Sequence, residues 1–491
     1  MTDRTPAPSV RNRLVKGFAW TLSSRAVVAL LSFISSIVLA RLLMPEDFGL
    51  FAMAISLSAV VQALAALPLS EALIQTSEVD DDHIGSTYTL AVARAVLLSV
   101  VLGVAAWPIA YLYHEPRLFG ILLAMAFIML LSGFFSPRWA LIQKQLSFGP
   151  SAVQSITLRM TNMVVALPIA YFYRSVWAII IGMIAAQIVS VTLTHCYAPA
   201  PLRFSTKRIR AIWSFSVWGT FSGILNTINQ RIDTLMIGSV LGHREVGLYW
   251  YADDKAVLPT REITTPLVVV LFPGLSRVKD DPVRLATAYR RAQSLLFAAC
   301  VPAGVGFGLV ADQFVNVLLG EKWLPIIPII QILAPLLALE ALIASAKPLA
   351  MANGRTRDLF RRDLMNFAFR TPVVLAGLFL FGLPGVLAAR AVTTIYGIGL
   401  FMWLVRKITG ITLFQQLHDC RRSFGALAIM AAGIFLFKAG PAAHLLPSGV
   451  MFMVTIAVGG LCYVAGHLLL WLTALSADGL ILADKLSRAG C

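Results

Sequence analysis

The sequence predicts an all-α polytopic membrane protein of about 14 transmembrane helices, and three observations carry that reading. First, only 13% of the 491 residues are charged while 58% are hydrophobic, and the mean hydropathy is +0.80. A soluble chain carries roughly twice that charged fraction, so a soluble globular enzyme is excluded. Second, uninterrupted apolar runs long enough to cross a bilayer recur along the chain. Because they are continuous rather than alternating, they exclude a transmembrane β-barrel. Third, the basic residues of the connections between those runs fall almost entirely into every second connection.

The expected spans are residues 17–41, 49–75, 87–113, 118–136, 151–173, 175–197, 211–241, 246–275, 292–311, 325–351, 364–382, 384–405, 424–437 and 449–475. The thirteenth is short, which leaves 12 spans and two interfacial helices as the alternative. With the N-terminus placed in the cytoplasm, the cytoplasmic segments hold 25 basic residues and the opposite side only 5. That asymmetry places both termini inside by the positive-inside rule. It also accounts for most of the net charge of +16, so the charge reads as topology and attraction to anionic lipid rather than nucleic-acid binding.

A shift of 198 residues without a gap reveals an internal repeat. Trp20 falls on Trp218, Ser24 on Ser222, Leu43 on Leu241, Ala54 on Ala252, and Gly49-Leu50-Phe51 on Gly247-Leu248-Tyr249. An even number of spans separates the copies, so the repeats are parallel, related by an axis along the membrane normal. The expected organisation is a six-helix lobe over 1–210, a second over 211–410, and two further helices with a cytoplasmic tail over 411–491. Two such lobes around a central cavity suit alternating access.

Ten basic and six acidic residues remain within the spans or at their edges. A charge at the bilayer centre costs roughly 2.5–3.5 kcal/mol or more, so the deep ones must face protein or water. Arg25 lies about 13 Å along the first helix from Lys16, on one stripe with Thr21, Ser32 and Ser36. Arg94 and Arg159 are comparably deep, and Arg159 shares its face with Ser155 and Asn162. Arg231 and Asp233 interrupt the seventh span, and Asp253, Asp254, Lys255, Arg261 and Glu262 the eighth. Pro259 is expected to kink that helix. Lys255/Glu262 and Asp254/Arg261 are each seven apart, too far for a direct bridge, so interhelical partners are expected. Arg41, Arg370 and Glu71 are read as span-edge groups that snorkel.

The basic excess suits an anionic ligand, because guanidinium groups fit phosphate in a bidentate manner. The candidate substrate-binding residues are therefore Arg25, Arg94, Arg159, Arg231, Lys255 and Arg261, with Asp233, Asp253, Asp254 and Glu262 as coupling or gating acids. A cation exporter would instead show acids in an aromatic-lined cavity. For the eighth span, a structural ion-pair network is the competing reading.

No other chemistry stands out. The five cysteines have neither CxxC nor His-rich spacing, so neither a disulfide framework nor a zinc site is expected. No cofactor or metal is called for. The chain lacks a P-loop motif, and Asp80-Asp81-Asp82 reads as a solvated acidic loop rather than a glycosyltransferase motif. The first apolar run is too long for a cleaved signal peptide and carries Arg25.

Several runs together resemble a known family. These are Lys16-Gly17-Phe18-Ala19-Trp20, Leu39-Ala40-Arg41-Leu42-Leu43-Met44-Pro45-Glu46-Asp47-Phe48-Gly49-Leu50 and Ala72-Leu73-Ile74-Gln75. Arg231-Ile232-Asp233, Gly247-Leu248-Tyr249 and Leu271-Phe272-Pro273-Gly274-Leu275-Ser276-Arg277 continue the match. Over roughly residues 10–410 the chain resembles Wzx-type polysaccharide flippases, in the MOP superfamily with MurJ lipid II flippases and MATE exporters. Members found in exopolysaccharide clusters are resembled most. The resemblance implies two six-helix lobes around a cavity. It further implies translocation of undecaprenyl-diphosphate-linked oligosaccharide across a bacterial inner membrane, for exopolysaccharide, capsule or O-chain synthesis. Polymerase and copolymerase of the same pathway become expected partners. A lipid II flippase and a MATE-like drug or cation antiporter are the alternatives. The Asp253-Asp254-Lys255 cluster is more charged than the family pattern at that place.

Overall fold

The computed structural model describes residues 10–65, 73, 79–144, 148–199, 205, 217–441 and 446–489. Among them the regular structure is helical, with no strand. Eleven stretches are long and apolar enough to cross a membrane. The thirteenth expected span is among them, as a helix over Arg421–Ala439. The chain divides into two compact units, Met1–Gly247 and Leu248–Cys491.

The first unit contains α1 (Val10–Leu42), α2 (Pro45–Leu64), α3 (Asp81–Leu112) and α4 (Pro116–Ser132). A short α5 (Trp139–Lys144) leads to α6 (Phe148–Tyr173), α7 (Trp177–Tyr197) and α8 (Val217–Leu241). The helix starts follow local chemistry. Pro45 and Pro116 occupy first-turn positions where no amide hydrogen bond is lost. The Met44 amide donates to the Asp47 carboxylate at 3.1 Å. The Asp80-Asp81-Asp82 run is a helix start: Asp80 accepts from the His83 amide at 2.7 Å, and the next two acids sit in the first turn of α3, where the helix dipole favours them. Arg138 reaches Asp81 at 3.1 Å and Ser205 reaches Asp82 at 3.3 Å.

Small residues set the packing. α6 packs on α7 and on α1, and α3 on α4. A Cβ on Gly182 would meet Ala166 and Asn162, and one on Gly133 would meet Ala95. These are the close approaches by which helices associate where water offers no drive. α8 packs on α2 and so belongs by contact to the first unit. The sequence boundary at residue 210/211 falls before α8, on the far side of it from the boundary set by contacts, and 211–216 lie outside the described residues.

The long α9 (His243–Arg277) begins in the first unit and carries Pro259, Pro266 and Pro273. The second unit continues with α10 (Pro282–Leu309) and α11 (Ala311–Phe314), then a π turn, a 3-10 turn, and α12 (Ile327–Leu339). α13 (Ala346–Ala352), α14 (Thr356–Thr409), α15 (Leu413–His418), α16 (Arg421–Ala439) and α17 (Ser448–Ala489) follow. α14 is two helices that reverse at Gly382, whose φ of 63° and ψ of −140° only glycine adopts without strain. The two arms meet at Gly377 and Gly385, where a Cβ on either would overlap the carbonyl of the other.

α16 and α17 pack on each other and on α10. Polar ties hold them at several levels. Arg290 of α10 forms a bidentate pair with Asp419 at 2.5 and 2.6 Å. The Tyr463 hydroxyl donates to the Ala298 carbonyl at 2.8 Å. Lys438 donates to both oxygens of Asp312 at 2.7 and 2.9 Å and to the Leu309 carbonyl at 2.9 Å, capping the end of α10. Between these ties Phe297, Val301, Leu342, Ile398, Met402 and Cys420 form a buried core. Burial and the neighbouring Asp419 carboxylate push the Cys420 thiol up to about 12, so it remains a packing group.

The Gly377–Gly385 contact is directly testable. Gly385→Leu should lower the folded fraction of purified protein by roughly 1–3 kcal/mol of stability, as overpacking does. Gly399→Ala, which meets open space on the same helix, should be neutral or slightly stabilising in the same thermal-unfolding measurement.

Candidate functional site

The charged residues expected within the spans fall on separate helices in the first unit. Arg25 is exposed on α1, and the stripe around it continues through the half-buried Ser32 and Ser36. Arg94 on α3, Arg159 on α6 and Arg231 on α8 are half-buried. Asp233 is buried one turn from the buried Asn229. α1 and α6 run against each other, so the helices of Arg25 and Arg159 are neighbours.

In the second unit, α9 and the second arm of α14 bring a charged cluster together. The Lys255 Nζ donates to Asp254 at 2.8 Å and lies 4.8 Å from the centroid of the Tyr251 ring. Lys255 is buried, whereas Asp254 is half-buried. Arg261 places Nη1 3.9 Å from Asp254 and Nε 3.6 Å from Glu262, and both Arg261 and Glu262 are exposed. Asp253 lies 3.9 Å from the Arg390 guanidinium of α14.

This geometry corrects the expected pairing. Asp254 and Arg261 do approach each other across two helical turns, because the extended guanidinium and the carboxylate each reach along the helix from their ends. Among the described residues Lys255 meets its sequence neighbour Asp254 and the Tyr251 face, and no acid of another helix. The interhelical pair is made instead by Asp253, with Arg390. The Lys255–Asp254–Tyr251 arrangement has the marks of scaffold: a buried cation, a short ion pair and a cation–π contact. Arg261 is the exposed cation of this cluster, with its guanidinium beside Asp254 and Glu262.

Two arginines differ from their sequence reading. Arg370, expected at a span edge, is buried, because its helix begins at Thr356 and puts residue 370 well inside. Arg362, expected in a cytoplasmic connection, lies on the same arm. It pairs with Asp363 at 2.8 Å, approaches the Gly397 carbonyl at 3.4 Å, and sits 3.7 Å over the Phe401 ring. Glu71 lies outside the described residues. Arg390 was countable as an intramembrane charge, but nothing in its spacing linked it to Asp253.

A second feature of this unit is apolar. A cavity of about 370 Å³ opens between α9, α10, α16 and α17. Its walls include Pro259, Pro302, Phe307, Met430, Ile434 and Tyr463. The Tyr463 hydroxyl is turned to the Ala298 carbonyl, so the lining presents carbon. Pro259 therefore stands between the two features, four residues from Lys255, two from Arg261, and on the cavity wall.

The scaffold assignment of Lys255 gives a clear expectation. Among the described residues Lys255→Met leaves Asp254 with the more distant Arg261 and should cut the amount of folded protein, by less than the roughly 3–5 kcal/mol of a fully buried pair because Asp254 is half-buried. Adding Asp254→Asn should restore it. Expression of Lys255→Met at the parent level would remove the scaffold role.

Comparison with known proteins places this architecture. Residues 38–328 match the model of the family described as polysaccharide biosynthesis protein. The chain is 25% identical over 377 residues to the lipopolysaccharide biosynthesis protein WzxC of Escherichia coli, covering 75% of this chain and 76% of that one. It is 23% identical to the succinoglycan biosynthesis transport protein ExoT of Rhizobium meliloti, covering 93% of each. Among solved structures, the lipid II flippase MurJ in an inward closed conformation aligns with a TM-score of 0.75 at 14% identity, over 94% of this chain and 100% of that one. An inward-facing MATE multidrug transporter of the MOP superfamily aligns with a TM-score of 0.58 at 16% identity, over 78% of this chain and 95% of that one. The multi-pass helical fold is thus shared with both transporter types, and the chain belongs to the polysaccharide biosynthesis protein family.

Proposed function

We propose that the protein is a flippase that carries polyprenyl-diphosphate-linked oligosaccharide repeat units across a bacterial inner membrane by alternating access, for exopolysaccharide or a related surface polymer. The observation that carries this reading is the set of arginines held within spans on different helices, in a chain of a polysaccharide family. A guanidinium in a span must meet an anion, an acid or water. A diphosphate linked to a sugar and a long isoprenoid is an anion that has to pass through the bilayer.

The roles divide accordingly. Arg25, Arg94, Arg159, Arg231 and Arg261 are the proposed contacts for diphosphate and acidic sugar, and Lys255 supports Arg261 through their shared Asp254. The apolar cavity beside Pro259 is suited to part of the isoprenoid chain. Asp233, Asp253, Asp254 and Glu262 are available for a coupling cation, a use favoured by the burial of Asp233. The lobes are proposed to be the two repeats, 1–210 and 211–410, followed by two helices over 411–491. Polymerase and copolymerase of the pathway are proposed partners. Likeness of fold to lipid II flippases and to drug exporters does not separate these readings; the family and the basic excess favour the polysaccharide substrate.

Arg25 provides the sharpest test. Arg25→Ala should abolish polymer export with the protein still present in the membrane, and Arg25→Lys should rescue only in part, because a lysine lacks the bidentate fork. Normal export by Arg25→Ala would remove this residue from the substrate path. Topology is tested separately. Reporter fusions at Arg284 and Arg357 should read cytoplasmic and a fusion at Pro441 periplasmic, with a periplasmic signal from Arg357 overturning the assigned register.

A further inference from the structure

The starts of α2 and α9 meet in a contact that the internal repeat makes reciprocal. A Cβ on Gly49 would overlap the carbonyl oxygen of His243, and a Cβ on Gly247 would overlap the carbonyl oxygen of Pro45. The shift of 198 residues that relates the repeats carries Pro45 onto His243 and Gly49 onto Gly247. Each glycine therefore receives the backbone of the other's repeat partner, as at a two-fold axis. The neighbouring pair follows the same rule. Glu46 maps onto Arg244, and the two are joined at 3.4 Å. Equivalent positions thus hold opposite charges that meet each other across the axis.

Further contacts surround this crossing. The His243 Nδ1 lies 3.2 Å from the Glu115 carboxylate. Tyr113 donates its hydroxyl to the Leu235 carbonyl at 3.2 Å. Asp47 accepts from the Val176 amide at 3.1 Å, fixing the start of α2 to the start of α7. A Cβ on Gly238 of α8 would collide with Met53 of α2.

The energetics are those of a contact built to part. Backbone laid on backbone at paired glycines gains dispersion energy only at full closure, and without a hydrophobic drive in lipid that gain is modest. Arg244 stands in the first turn of α9, where a cation opposes the helix dipole; Glu46 stands in the first turn of α2, where an anion is favoured. Glu245 in the same turn offsets part of that cost, and Glu46 adds a partner while the two helix starts are together. The ion pair is half-exposed, so water can take over both charges when they separate.

We propose that this crossing is a latch: Gly49 and Gly247 let the two repeats meet at backbone contact, the Glu46–Arg244 pair is its clasp, and it must release and re-form in each transport cycle on the side of the membrane opposite the N-terminus. The role in a cycle rests on the flippase reading; the latch itself does not.

The test uses the full chain with its native cysteines replaced. A cysteine at Ala54, fully buried two turns along α2 from the clasp, reports opening through its reaction with a membrane-impermeant maleimide in sealed vesicles of either orientation. A cysteine at the exposed Met44 is the accessible control. Gly49→Val, Glu46→Arg and Arg244→Glu should each raise the labelling rate at residue 54 by about tenfold or more, while transport of the lipid-linked repeat unit falls. The exchange Glu46→Arg with Arg244→Glu should restore shielding and transport together. That restoration is independent of whether Gly49→Val folds. Labelling at the parent rate in both charge-reversal variants would overturn the latch, and so would raised labelling with undiminished transport. If labelling responds as expected but even the parent protein moves no lipid-linked oligosaccharide, the flippase reading falls and the latch stands.

Discussion

A charge inside hydrocarbon must have a partner, a ligand or water, and the structure is organised around that requirement. The chain retains ten basic residues in or beside its spans. Where the described residues show how the charge is met, the answers differ in kind. Lys255 is sealed between Asp254 and a tyrosine face, and Arg362 between Asp363 and a phenylalanine face. Arg25 and Arg261 keep their side chains open. The first pair is buried against its partners, whereas the second is exposed, with Arg261 in looser contact with Asp254 and Glu262.

The same requirement governs the backbone. Several helix starts are capped or begin with proline, and helices approach through glycine and alanine, where a larger side chain would hold them apart. The C-terminal pair α16–α17 is fixed to α10 by ties at both ends, with an apolar cavity left between them. Ion pairs stand at the ends, and the cavity between them is lined mostly by carbon.

Helix positions were largely legible in the sequence, because an apolar run long enough for a bilayer has few alternatives to a helix. The details at the ends were not. The arm carrying Arg370 begins earlier than its apolar run, since the charge-rich segment 357–363 stays helical, and a residue expected at an edge is thereby buried. The Asp80–Asp82 run read as a loop because its role as a helix start depends on where the chain turns. Within the charged cluster, composition named every member of α9 but could not pair them. Asp253 finds Arg390 from a helix more than a hundred residues away, and such pairing depends on how helices pack.

The sequence by itself determined that the chain is a multi-pass helical membrane protein of a polysaccharide family and that its charge excess is basic. Composition and periodicity suffice for these, because burial in lipid acts on each segment separately. The tertiary structure alone decided which charges are sealed and which are open, that α8 packs with the first unit, and that Gly49 meets the backbone of the second repeat. Those facts depend on the approach of segments distant in sequence. The repeat placed Glu46 and Arg244 at equivalent positions, but only folding brings two equivalent positions into contact with each other.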